Sequence, residues 1–425
     1  MLIEFSVSNF RSFRERQTLS MVAAPRMHKR ENVFKPESKS EKFPALLKVA
    51  VVYGPNASGK SNLLKALEVV RQIARREPST RDRPLPVSPF CFDAALANQP
   101  SVFELHFIQA GVRFQFDLAA TSERIVSEKL VAFPKGRESL LYERQHTAQG
   151  EAYRFGPLLR DSSVSGLLEP WQKLTPPTLL FIAQAVANSS EEPNQLKIPF
   201  EWLKDAGYFL LDGMGRMAAA AQRLAGEDDV HGNDIALFLR EVDVPISKMR
   251  IETAEIPETL VGGLLAGLAA RENKSETTTT KSSKTILTHK TALGEADLNY
   301  EDESEGTKNL IGFWLPWITK DPSHNPRRLL VVDELDSSLH PKIVAALVEK
   351  HINSGIPSQL IFTTHDTHLM DAKLLRRDQI WITERDINGA TQLRSIHDFE
   401  GRESEDIEKR YYEGRYRGLP LVKRG

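Results

Sequence analysis

The chain has 425 residues, 40 % of them hydrophobic, and that length suggests two to three domains of a globular protein. Its 56 Lys and Arg stand against 57 Asp and Glu, so no bulk basic bias announces a nucleic-acid binder, although local clusters leave one possible. A single cysteine, Cys91, excludes an intramolecular disulfide and a cysteine zinc hook.

Met1 to Val7 alternates, with Ile3, Phe5 and Val7 on one face, and reads as a strand. No targeting pattern accompanies it, which fits a cytoplasmic location. Val49 to Tyr53 reads as a buried parallel strand leading into GPNASGKS, Gly54 to Ser61. Leu63, Leu64, Ala66, Leu67, Val70, Ile73 and Ala74 then recur at helical spacing up to Pro78. Strand, loop and helix are the context that the phosphate-loop spacing G-x-x-x-x-G-K-S requires. Gly54 and Gly59 let successive N–H groups turn inward at a helix N-terminus and form an anion nest. Lys60 supplies a point charge for the β- and γ-phosphates, and Ser61 a hydroxyl for Mg²⁺. The nucleotide-binding candidates are Gly54, Pro55, Asn56, Ala57, Ser58, Gly59, Lys60, Ser61 and Asn62.

Val102 to Ile108, Val112 to Leu118 and Ile125 to Val131 read as strands with turns between them, an antiparallel β-layer beside the main sheet. Gln184 follows the apolar run Leu179 to Ala183. Trp202 to Leu224 and Asp234 to Val242 read as helices, without the sustained heptads of a long coiled coil. Leu260 to Ala270 is too short and glycine-rich to span a bilayer. Glu272 to Lys284 is polar and low in complexity, and reads as a mobile loop.

Ser304-Glu305-Gly306-Thr307-Lys308 opens an apolar helix that Pro316 should disturb; read alone, it is an N-capped helix start. Leu329 to Val332 is a buried strand ending in Asp333, placed to hold Mg²⁺, and Glu334, the candidate general base. Two solvated acids at a strand end are the plainer alternative. Gln359 to Thr364 is another strand and delivers His365. A lone histidine is more often structural, but at this position it would orient the attacking water and stabilise charge on the phosphoryl group.

The order of these motifs resembles ABC-type ATPase heads such as those of SMC and RecF proteins. More closely, the chain resembles short prokaryotic ATPases of antiphage defence, of the RloA, Abi and PARIS kind. That resemblance rests on MLIEFSVSNFRSF, GPNASGKSN, PSVFELHFI, GVRFQFDL, ESEGTKNL, VVDELDSSLHP, QLIFTTHDTHLMD, RRDQIWITERD and YYEGRYRGLP. It implies an α/β head with a mixed, mainly parallel sheet flanked by helices, an antiparallel β-layer and a helical insertion. It also implies that Ser304 and Gly306 act in trans on nucleotide held by the partner's loop, that Asp336 lines the seam, and that Arg11 approaches the phosphates. Gln184 is its candidate for the metal-side glutamine, or else a surface one. Arg417-Gly418 departs from the relatives' G-R-Y-G-A-x-P, which leaves the tail's role open.

The expected division is 1–185 and 291–425 for the two halves of the head, with 186–290 between them. The leading functional expectation is an Mg-ATP-dependent homodimer or larger homo-oligomer, a gated sensor or scaffold of abortive infection. It would control a separately encoded, nuclease-type effector, since little chain follows His365 to hold a Toprim nuclease. The alternative is a RecF/SMC-like DNA-binding repair clamp.

Overall fold

A computed structural model of the chain describes residues 1–37, 42–77, 83–189, 194–256, 280–318, 329–371, 373–402 and 405–420. Its strands are β1 (Leu2–Ser8), β2 (Gln17–Ser20), β3 (Val33–Phe34), β4 (Leu46–Leu47), β5 (Val49–Tyr53), β6 (Ser101–Gln109), β7 (Val112–Ala120), β8 (Ile125–Phe133) and β9 (Ser139–Thr147). They continue as β10 (Gly150–Phe155), β11 (Gly207–Leu210), β12 (Ile246–Ile256), β13 (Thr280–Thr291), β14 (Gly294–Asn299), β15 (Leu329–Val332), β16 (Gln359–Thr363), β17 (Ile380–Arg385) and β18 (Thr391–Ser395). The chain forms two compact units: Met1–Leu211 with Asp321–Asp336 and His340–Gly425, and Asp212–Lys320 with Ser337–Leu339.

The first unit carries the α/β head. Its main sheet has the order β11-β15-β16-β5-β17-β18, parallel except for the edge strand β18. Val49–Tyr53, Leu329–Val332 and Gln359–Thr363 are buried throughout, as expected of strands covered on both faces. Because β15, β16 and β5 are parallel neighbours, the segments that follow them leave the sheet at the same edge. Those segments are Asp333-Glu334, Thr364-His365 and the glycine loop, and such a carboxyl edge is where open α/β sheets bind ligands.

The expected antiparallel layer is a seven-stranded sheet in the order β10-β9-β8-β7-β6-β1-β2. Gln359 of β16 ties it to the main sheet, accepting from Leu2 N at 2.7 Å and donating to Leu2 O at 2.8 Å. Phe107 of β6 stacks on Trp202 with ring centroids 4.0 Å apart. Glu128 of β8 is fully buried. It accepts from the Tyr142 hydroxyl and from Phe181 N, and faces Arg144 at 3.8 Å. Burial pushes its carboxyl above the usual range, and the Arg144 guanidinium opposes that shift.

The second unit holds the helices Gly215–Glu227, Asp229–Glu241 and Glu305–Ile318 and the antiparallel sheet β12-β13-β14.

Four expectations change. Trp202 to Leu224 is not one helix: Asn194–Asp205 ends before β11, which pairs in parallel with β15. The short apolar run Tyr208-Phe209-Leu210 suits an edge strand, and a Cβ on Gly207 would collide with the Leu329 carbonyl, so glycine permits the pairing. The division consequently differs from 1–185, 186–290 and 291–425, with the second unit beginning at Asp212 and containing Ser304. Of the expected loop 272–284, residues 272–279 lie outside the described residues, as does Leu260 to Ala270, while 280–284 belong to β13. Threonine-rich sequence favours a strand where a partner such as β12 is present. The helix opened by Glu305 also continues through Pro316 to Ile318.

Candidate active site

The glycine loop joins β5 to the helix Lys60–Ala74. Gly54 (φ 148°), Ala57 (φ 62°) and Gly59 (φ 106°) all take positive φ, so the chain coils tightly there. Its packing explains both glycines. A Cβ on Gly54 would run into Thr383 of β17 and Ser58, and one on Gly59 into Thr391 of β18. Polar contacts hold the loop from below. Ser58 Oγ lies 2.6 Å from Thr383 Oγ1, and Thr391 Oγ1 donates to Ser58 O at 2.8 Å. Ser12 Oγ, next to Arg11, accepts from Asn62 Nδ2 at 2.9 Å and lies 2.8 Å from Thr391 Oγ1.

The buried Lys60 ammonium donates to the carbonyls of Gly54 (2.8 Å) and Pro55 (3.2 Å). Burial lowers its pKa from the ordinary lysine value, while the carboxylates of Asp333, Glu334 and Asp336 pull the other way. Ser61 Oγ donates to Asp333 Oδ1 at 3.1 Å, and Thr363 Oγ1 donates to the same oxygen at 2.6 Å. Thr363 also accepts from Glu334 N at 2.8 Å, and Glu334 sits at φ 52°. Asp336 Oδ2 accepts from His365 N at 3.2 Å.

A cleft of about 730 Å³ is lined by residues 56–62 of the loop and by Arg11, Glu334 and His365. The first unit therefore gathers the phosphate-loop candidates, Arg11, the acid pair, Asp336 and His365. Gly54 and Pro55 form the floor that Lys60 binds. Ser61 and Asp333 present hard oxygen donors on adjoining atoms, which fits Mg²⁺ bound through few protein ligands with phosphate and water completing the shell. Among the described residues, no cluster of three or more His, Cys, Asp or Glu offers a metal cage.

Ser304 and Gly306 belong to the second unit. There Ser304 Oγ caps its helix by accepting from Thr307 N at 3.1 Å. A Cβ on Gly306 would come 2.6 Å from Ser338 O, and Asn309 Nδ2 donates to Ser337 O at 3.1 Å. The signature turn and the segment Ser337–Leu339 thus pack on each other. Gln184 is buried in the helix Phe181–Ala187 and is not among the residues lining the cleft. The apolar run before it became the start of a core helix fastened by Glu128.

Sequence reasoning missed Ser12, Thr363, Thr383 and Thr391 as supports of the loop, and Cys91, Phe92 and Arg385 as further lining residues. Ser12 lies beside Arg11 and Thr363 two residues before His365, while Thr383 and Arg385 fall within RRDQIWITERD.

Over residues 49–177 and 207–371, well over half of the chain, the sequence matches the family described as "AAA domain, putative AbiEii toxin, Type IV TA system". The chain belongs to this AAA domain family. The AAA domain is an ATPase domain of a kind linked to toxin and abortive-infection systems. No curated protein matched the chain. Among solved structures, the SMC head domain from Thermotoga maritima is similar at 13 % identity and a TM-score of 0.40, covering 93 % of this AAA protein and 98 % of that chain. A crystal structure of the SmcHead bound to the C-winged helix domain of ScpA is similar at 14 % identity and a TM-score of 0.39, covering 93 % and 97 %. At those scores neither likeness bears on the chemistry. No helix among the described residues is long and apolar enough to cross a membrane.

Proposed function

We propose that this AAA-family chain is an Mg-ATP-dependent ATPase that pairs head to head, each nucleotide being closed over by Ser304 and Gly306 of the other copy. The observation that carries the hydrolytic reading is the hydrogen-bonded set Ser61–Asp333–Thr363–Glu334 at one end of the loop-lined cleft. Loop N–H groups and Lys60 bind the phosphates, and Glu334 takes the proton of the attacking water. His365, held through its backbone by Asp336, orients that water and stabilises charge developing on the γ-phosphoryl group. Mg²⁺ held by Ser61 and Asp333 would neutralise β/γ-phosphate charge.

The trans role of Ser304 and Gly306 is favoured by their position at a capped helix start, where backbone N–H groups attract anions. Membership of a toxin-linked family supports a place in abortive infection, with the ATPase gating a separately encoded, nuclease-type effector. Light scattering after size exclusion on Glu334→Gln tests this, with and without Mg-ATP, alone and beside the adjacent gene product. An ATP-dependent assembly that retains the neighbour is expected. An ATP-dependent dimer that ignores the neighbour and retains duplex DNA would replace the scaffold with a repair clamp.

A further inference from the structure

The cleft assigned to the phosphates is also lined by Cys91, Phe92 and Arg385, none of which belongs to the phosphate loop. Phe92 is 65 % exposed. Its ring is nonetheless fixed on one side. Buried Phe90 meets it edge-on with centroids 5.6 Å apart. A Cβ on Gly389, in the β17–β18 turn at φ 76°, would come within 3.3 Å of the ring, so glycine lets that turn close onto it. The Arg385 guanidinium carbon lies 5.8 Å from the ring centroid.

The segment bearing Phe92 is tethered to the N-terminal motif. Asn9 Oδ1 accepts from Phe90 N at 3.0 Å, and Asn9 Nδ2 donates to the carbonyls of Leu96 (3.1 Å), Gln99 (2.9 Å) and Pro100 (3.2 Å). Arg11 N donates to Ser88 O at 2.8 Å, and Arg14 pairs with Asp93 at 2.9 Å. An exposed ring held this firmly beside a phosphate nest is a prearranged stacking face.

We propose that Phe92 is the platform on which the purine base of the bound nucleotide stacks, with Arg385 as its cationic neighbour. This rests on the nucleotide reading of the cleft and adds the base-side recognition that the phosphate loop lacks. Aromatic rings stack on any base through its π-face, and a purine presents the larger one. Arg385 adds cation–π attraction at the same place.

The test is calorimetric titration of the full chain with Mg-AMPPNP and with Mg-tripolyphosphate, which carries the phosphates but no base. Phe92→Ala should weaken AMPPNP roughly five- to hundred-fold, the range that loss of a base–aromatic stack gives, and leave tripolyphosphate unchanged. Phe92→Tyr should restore AMPPNP affinity. In unaltered protein, AMPPNP should slow thiol labelling of Cys91, the only cysteine, more than saturating tripolyphosphate does. Unchanged AMPPNP affinity in Phe92→Ala, or equal weakening of both ligands, would overturn the platform. If unaltered protein binds neither ligand, the nucleotide reading fails and the platform with it.

Discussion

Thr363 and Asp333 are joined by a 2.6 Å hydrogen bond from the threonine hydroxyl to Asp333 Oδ1, the oxygen that Ser61 also reaches. Because the same hydroxyl accepts from Glu334 N, one fully buried side chain sets the carboxylate assigned to Mg²⁺ and the start of the residue assigned as base.

Thr363→Val keeps shape and burial but removes that hydroxyl, leaving the amide of Glu334 without its acceptor. Turnover should fall about 10- to 100-fold, and the Mg²⁺ concentration needed for half-maximal activity should rise, as when a ligand loses its supporting partner. Steady-state ATPase assays across an Mg²⁺ series check this. A drop in turnover with no change in Mg²⁺ dependence would separate Thr363 from Asp333.

Gly59→Ala tests the packing of the loop. Its φ of 106° is strained for any L side chain, and the new methyl meets Thr391. Nucleotide affinity should fall by more than about tenfold and stability by roughly 1–3 kcal/mol, the cost of a forced backbone conformation. Thermal unfolding and nucleotide titration read the two effects separately.

His351 predicts a pH dependence of stability. Burial at the end of the helix Pro341–Ile352 lowers its pKa to about 4, the nearby Lys48 charge adds to that, and hydrogen bonds with the backbone of Ser358 and Lys48 oppose it. An unfolded histidine takes up its proton near 6.5, so between about 6.5 and 4 the unfolded chain binds more protons than the folded one. The contribution is therefore intact above the unfolded value and declines as pH falls, by up to ~3 kcal/mol at the folded value. In urea unfolding, His351→Gln should lose about 2 kcal/mol less than the unaltered protein between about pH 7 and pH 5. Parallel losses would assign the decline to other groups.

What the sequence made legible was local. The glycine spacing, Lys60 and Ser61 follow from a loop whose geometry is written within a few consecutive residues, and the uninterrupted apolar runs of β5, β15 and β16 announce buried parallel strands. The threonines that hold the loop were hidden, because Thr383 and Thr391 reach it through sheet order, more than 320 residues away in the chain. Phe92 was hidden similarly, since irregular segments carry no periodicity and this one is fixed by contacts with Asn9, Arg11 and Arg14, about 80 residues earlier. The strand β13 escaped because its polar composition says loop while its pairing with β12 and β14 says strand. Gln184 is not a surface residue, because the apolar run before it opens a buried helix.

The central claim is that each active site is completed by a second copy of the chain. Mixing Ser304→Arg with Lys60→Ala tests it most directly, since each variant alone lacks one half of every site. In a mixed dimer one site pairs an intact phosphate loop with an intact signature turn. Each variant should be inactive by itself, and the mixture should regain part of the ATPase activity, peaking near equal proportions. Activity that stays at the level of the separate variants at every ratio would contradict the trans arrangement.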